Sequence, residues 1–253
     1  MSDRLRLCLF LPAIVVLGVL FLLGFRGLPS FGSYPGPYGF QIDSHAVRER
    51  HLTNMPSAVN FDYRGFDTLG EEYILFAAVA GLSLLLRQAR GEIEADPKPN
   101  ADDREVPPQG DAIRWFGLIL TGVTIVFGGY VVVHAHLTPG GGFQGGTVLG
   151  TACLLVYLVV GYQEFRAVGP KGMVEAAEAI GAGGYAIIGL ATMLASGAFL
   201  RNALPLGKTG DLFSAGTVPL INLAVGLEVA GGFVVLFAEF LKETRKPSEK
   251  PGP

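Results

Sequence analysis

Six apolar blocks, each about as long as a bilayer-crossing helix, constrain this chain more than any other feature. They are Leu7–Leu23, Leu69–Leu86, Trp115–His134, Phe143–Tyr162, Ala179–Leu200 and Pro219–Leu241. About twenty helical residues span the hydrocarbon layer, because a helix advances about 1.5 Å per residue. Only 16 % of the 253 residues are charged and 50 % are hydrophobic, whereas soluble domains carry roughly 25 % charge. Too little polar side chain remains to wrap a soluble core. The expected fold is therefore an all-α integral membrane protein with about six transmembrane helices, two before and four after a polar linker.

That linker is the segment 91–112, rich in Pro, Asp and Glu and without apolar period. It separates a two-span unit (1–90) from a four-span unit (113–245), and a polar tail (246–253) follows. The segment from Gly24 to Tyr63, with Pro29, Pro35 and Pro37, reads as an irregular loop. Arg4 and Arg6 precede the first block, as in a signal peptide. No small-x-small cleavage site follows, and the core exceeds the usual length of about 7–15 residues, so a retained anchor is the preferred reading. Thirteen of the 19 Lys and Arg residues fall on one side of the expected topology and six on the other. This bias puts both termini in the cytoplasm. Cys8 and Cys153 lie in spans and read as small buried hydrophobes, with no disulfide or metal framework.

The run HLTPGGGFQGG (His136–Gly146) admits two opposite readings. Gly140, Gly142 and Gly145 fit the spacing of a dinucleotide-binding turn, with Glu164 about twenty residues on. That turn needs a strand before it and further βαβ units after it. Here an apolar block of span length follows, so no nucleotide or nucleic acid is expected. Pro139, Gly140, Gly141 and Gly142 instead interrupt the helix. Phe143, Gly145 and Gly146 then open the next span, which makes the run a tight membrane reversal. His134 and His136, two residues apart, lie on different helix faces and make a poor metal pair. A structural role is favoured for them, with proton relay by His136 as the alternative.

Glu228 lies near the middle of the last block, in LINLAVGLEVAGGFVVLF. A charged residue at the bilayer centre costs about 2.5–3.5 kcal/mol on insertion scales, so it should be protonated, paired or beside a hydrated path. Asn222, about two turns earlier, falls near the same face. Glu71 has a simpler explanation. Thr68 to Glu71 fits a capping box, and Asp67 suits a helix start. Glu175 and Glu178 read similarly, as first-turn acids of the fifth span.

Two of these motifs carry a family resemblance. FDYRGFDTLGE (Phe61–Glu71) resembles the FRGFDTLGE signature of the small E-type (MbhE-like) subunit of membrane-bound hydrogenases. The same signature occurs in the C-terminal part of the large A-type subunit of Mrp-type Na⁺/H⁺ antiporters. HLTPGGGFQGG is similar to the GHxxPGGGFxxG signature of MnhB/MrpB subunits, with Ala135 and Leu137 departing from the common residues. SAGTVPLINLAVGLEVAGG (Ser214–Gly232) resembles that family's last span. The chain thus looks like an E-type module fused to a MnhB-type module. The resemblance implies an accessory, non-enzymatic subunit of a Na⁺/H⁺-exchanging complex in the prokaryotic cytoplasmic membrane, either a stand-alone Mrp-type antiporter or the antiporter module of a hydrogenase-like or complex I-like complex. Its partners would be other subunits, lipid, Na⁺ and H⁺, with no cofactor or metal. It also makes Glu71 a candidate ion-path residue beside Glu228 and His136. A purely structural assembly role is the competing reading.

Overall fold

The computed structural model describes residues 3–28, 30–33, 36–86 and 110–244. Nearly all of the expected linker at 91–112 and the tail at 246–253 lie outside the described residues. Among those residues every regular element is helical, and the protein is an all-α membrane protein. The helices are α1 (Asp3–Arg26), α2 (Pro37–Arg50), α3 (Met55–Ala58), α4 (Gly65–Leu85) and α5 (Asp111–Val133). They continue with α6 (Gly142–Val160), α7 (Tyr162–Val168), α8 (Lys171–Ser196) and α9 (Val218–Thr244). A single π-helical turn, Val59–Tyr63, leads into α4.

Helices α4, α5, α6, α8 and α9 are long and apolar enough to cross a membrane, and α1 carries the shorter apolar stretch Phe10–Arg26. The described residues fall into two compact units, one up to Gln41 and the other from Ile42 on. In the second unit α9 is the central helix, packed against α8, α6 and α4, while α5 packs on α6. Burial reflects this: 56 % of the α9 span is buried, against 22 % of α4.

Three sequence expectations are corrected. The segment Gly24–Tyr63 is not irregular throughout, because Pro37 opens α2 rather than breaking structure. Proline suits a first helical turn, where its missing N–H has no intrahelical partner. Ile42 and Ala46, one turn apart on α2, enter the core beside Leu52, Phe61 and Tyr185. The fifth span begins at Lys171, behind Pro170, eight residues before the expected Ala179. Cys8 is exposed on α1 and Cys153 only half-buried, both as free thiols.

Glycine sets how closely the central helices approach. A Cβ on Gly146 would meet the Gly226 carbonyl at 2.7 Å and Val229 Cβ at 2.8 Å. One on Gly231 would lie 2.7 Å from the Glu178 amide and the Val174 carbonyl. Without a hydrophobic drive between helices in lipid, backbone approach of this kind supplies the packing energy.

Candidate functional site

The loops at one end of the bundle are tied together by Asn54. Its amide nitrogen donates to the carbonyls of Ala135 (2.7 Å), Thr138 (2.8 Å) and Gly140 (3.0 Å). Its Oδ1 caps α3 at Ser57 N. Ser57 Oγ donates to the same Ala135 carbonyl at 2.8 Å, and the Thr53 and Asn54 amides donate to the His136 carbonyl. Carbonyls of a chain reversal need such partners, since buried backbone groups without them are costly. The segment before α4 therefore holds the glycine-rich reversal in place.

Within that reversal Gly140 has φ +130°, a region L side chains rarely adopt. Gly142 opens α6 and donates its amide to Asn222 Oδ1 at 2.8 Å. A Cβ on Gly142 would collide with the Asn222 carbonyl and approach Val225 Cβ to 2.8 Å. A Cβ on Gly145 would meet the Gly128 carbonyl at 2.8 Å. Pro139 and Phe143 are exposed, whereas Gly141, Gly142, Gly145 and Gly146 are buried. Asn222 itself is fully buried, and its Nδ2 donates to Val218 O. It fixes the start of α6 to α9.

His136 is fully buried, and neither ring nitrogen has a hydrogen-bond partner among the described residues. Burial holds its imidazole below the ordinary value of 6.5. Nearby backbone groups of Asp211 and Leu212 oppose the shift, and His134 adds to it. His134 instead stacks on Tyr130, with ring centroids 4.2 Å apart.

A second clasp joins the π-helical turn to the α8–α9 connection. Asp62 pairs with Arg50 at 3.3 Å and accepts from Asn202 Nδ2 at 2.8 Å. Asn202 Oδ1 accepts from the Thr217 amide at 2.8 Å, just before α9. Arg50 also lies over the Tyr63 ring.

Three buried carboxylates occupy the interior below these loops: Glu72 on α4 (4 % exposed), Glu228 on α9 (1 %) and Glu178 on α8 (7 %). Glu228 lies within electrostatic reach of both others. Both Glu228 oxygens and Glu72 Oε2 lack hydrogen-bond partners among the described residues. Their depths follow from helix rise. Glu72 is seven residues into α4, roughly 10 Å from its start. Glu228 is ten residues into α9, roughly 15 Å from the same end. Glu178 lies opposite Gly231 and Gly232, whose Cβ positions would touch it, which is roughly 20 Å down α9. The acids thus form a staggered column through the middle of the bundle. Tyr185 is buried on α8 near its upper part, and its hydroxyl donates to Gly65 O at 2.8 Å.

The structure brings together only part of the expected site. Glu228 and Glu178 are interior, but Glu71 is exposed and its neighbour Glu72 faces inward. Glu71 is not a capping residue either. The helix starts at Gly65 with Arg64 at its N-cap, so Thr68 is an internal, buried position. Asp67 does lie in the first turn, where it pairs with Arg64. Glu178 is the eighth residue of α8, well past its first turn. Sequence reasoning missed Glu72 because consecutive helical residues point about 100° apart, and both faces of this block are apolar. The spacing of Thr68, Glu72 and Val79, four and then seven residues apart on one buried side of α4, was the available signal.

Helices long enough to span a membrane, buried acids at mid-depth, glycine contacts between them and polar clasps at one end define a multi-pass membrane protein with a carboxylate-bearing interior. Residues 112–235 match the family described as a domain related to the MnhB subunit of Na⁺/H⁺ antiporter. An uncharacterized protein of Methanocaldococcus jannaschii is 32 % identical over 211 residues, 75 % of this chain and 79 % of that protein. A probable A/B subunit of a K⁺/H⁺ antiporter from Rhizobium meliloti is 29 % identical over 45 % of this chain but only 13 % of its own length. Among solved structures, a chain of the membrane-bound sulfane sulfur reductase, an archaeal respiratory membrane complex, aligns with TM-score 0.69 and 30 % identity. The alignment covers 94 % of this chain and 98 % of that one. A chain of the Mrp complex of Dietzia sp. DQ12-45-1b shares the fold at TM-score 0.68 and 24 % identity, over 99 % of this chain and 27 % of that one. This chain belongs to the MnhB-related family.

Proposed function

We propose that this subunit takes part in moving cations and protons, with Glu72, Glu228 and Glu178 lining a stretch of the path. The observation that carries this is the column of three buried acids without an ion pair among the described residues. Membrane-embedded carboxylates of this kind are expensive and mark proton relays and ion pathways. Three negative charges cannot coexist unshielded at this depth, so the column must hold protons, a bound cation, or both. Exchange between those states is antiport chemistry. Glu71 and His136 belong to its approaches, Glu71 beside Glu72 and His136 at the loop end. Na⁺ and H⁺ are the proposed ions. We also assign residues 1–90 to an E-type module and 113–245 to the MnhB-type module, and place both termini in the cytoplasm of a prokaryotic cell. The competing assembly reading is favoured by the glycine contacts that press α6 and α8 onto α9.

The test is replacement of Glu72, Glu178, Glu228 and Glu71 by Gln in the whole complex, with antiport followed in inverted vesicles. Loss of exchange in complexes of normal subunit content supports the path. Unchanged exchange in all four, with assembly intact, assigns the column to packing alone.

A further inference from the structure

Helix α4 presents an outward face that lipid alone does not suit. Asp67, Gly70, Glu71, Ile74 and Ala78 are all exposed, and the helical period places Gly70, Glu71, Ile74 and Ala78 on one side. Ile74 is 72 % exposed. Asp67 lies at the rim and is paired with Arg64. Glu71 is six residues inside the span, roughly 9 Å from the helix start. Among the described residues it makes no ion pair or hydrogen bond. A carboxylate facing hydrocarbon is costly, so it calls for a proton, a partner or water. Its neighbours are also unusual. A Cβ added at Gly70 or Gly81 would meet nothing within 4 Å, so nothing among the described residues uses the close approach that these positions permit.

We propose that this face docks a transmembrane helix of a different subunit, which brings a basic or hydrogen-bond-donating side chain to Glu71. The carboxyl on the face selects the occupant: ionised or protonated, it needs a hydrogen-bonding partner at this depth, and lipid tails offer none. Helix α1 of this chain does not fit. Between Arg6 and Arg26 it carries no hydrogen-bonding side chain other than Cys8. Glycine and alanine beside the acid let the partner's backbone come close enough for its side chain to reach inward. The proposal concerns contact, and it stands whether or not Glu71 also handles ions.

The experiment places the photo-crosslinking residue p-benzoylphenylalanine at Ile74 in the otherwise native complex, in its own membrane. Ile74 is chosen because it leaves Glu71 and the buried acids intact. The expected result is an adduct with one other subunit, mapped by mass spectrometry to a transmembrane segment containing Lys, Arg, His, Asn, Gln, Ser, Thr, Tyr or Trp. Glu71→Gln should retain the adduct, and Glu71→Lys should reduce it by at least about tenfold. Adducts with lipid only, or with α1 of the same chain, would overturn the proposal. So would rapid labelling of Ile74→Cys by a membrane-impermeant maleimide, since a water-lined face has no helix on it.

Discussion

Replacing Gly142 by alanine isolates the contribution of close helix approach. The new methyl would press on the Asn222 carbonyl, lie 2.8 Å from Val225 Cβ and 3.0 Å from the Gly226 amide. Two of these three are α9 backbone atoms, which cannot swing aside as a flexible side chain would. The first turn of α6 must move outward by the shortfall from an ordinary contact of about 3.5 Å. That movement stretches the 2.8 Å bond from the Gly142 amide to Asn222 Oδ1. Overpacking of this sort costs about 1–3 kcal/mol, and a weakened buried hydrogen bond adds about 1 kcal/mol. Alanine's higher helix propensity offsets under 1 kcal/mol. The net expectation is a loss of about 2–3 kcal/mol. It is read as a shift in reversible unfolding with increasing SDS in mixed micelles. Gly122→Ala is the control, because a Cβ there meets nothing within 4 Å. It should be neutral or slightly stabilising. If Gly142→Ala and Gly122→Ala unfold within about 0.5 kcal/mol of each other, steric exclusion is not what the glycine at 142 provides.

Other expected outcomes concern the clasps and the buried histidine. Asn54→Asp keeps the acceptor that caps α3 but removes the N–H donors to Ala135, Thr138 and Gly140. It should cost about 2–4 kcal/mol, since several buried carbonyls lose partners, and it should expose the 134–141 loop to limited proteolysis. Asn54→Ala should be at least as damaging. His136 has a folded pKa below its unfolded value near 6.5, because burial disfavours the imidazolium. The unfolded chain therefore binds more protons, and stability should fall as pH drops through about 6.5, levelling once the folded ring titrates. His136→Gln should flatten the dependence of melting temperature on pH between 8 and 5. A slope unchanged by this substitution would assign the effect to other groups. Asp62→Asn weakens the contact to Arg50 but leaves Asn202 an oxygen to bond. It should loosen the α8–α9 connection in hydrogen exchange while leaving α5 and α6 protected.

Much of the architecture is legible in the residue string, for reasons that hold before any tertiary contact forms. A bilayer requires stretches of fixed length that satisfy their own backbone groups, so hydropathy alone announces the spans α4, α5, α6, α8 and α9 and the apolar α1. The glycine run likewise announces a break, since Pro139 and three consecutive glycines cannot sustain a helix there. Glu228 is conspicuous because no neighbouring residue explains a charge in the middle of its block. Boundaries and short helices were less visible. Pro37 reads as a breaker until α2 is seen to start on it. The polar α2 gains its place from two residues, Ile42 and Ala46, that find a core supplied by distant segments.

By itself, the sequence determined that this chain is a bundle of membrane helices, where its backbone must turn, and that at least one carboxylate lies at mid-depth. Only the tertiary structure decided which acids face one another. Glu71 and Glu72 are adjacent in an apolar block, and hydropathy does not distinguish them. The approach of α4 to α9 and the bond from Tyr185 to Gly65 select the helical phase. That phase turns Glu72 inward to join Glu228 and Glu178, and leaves Glu71 on the outer face. In lipid both sides of a span can be equally apolar, so orientation about the helix axis is set by packing rather than by hydropathy.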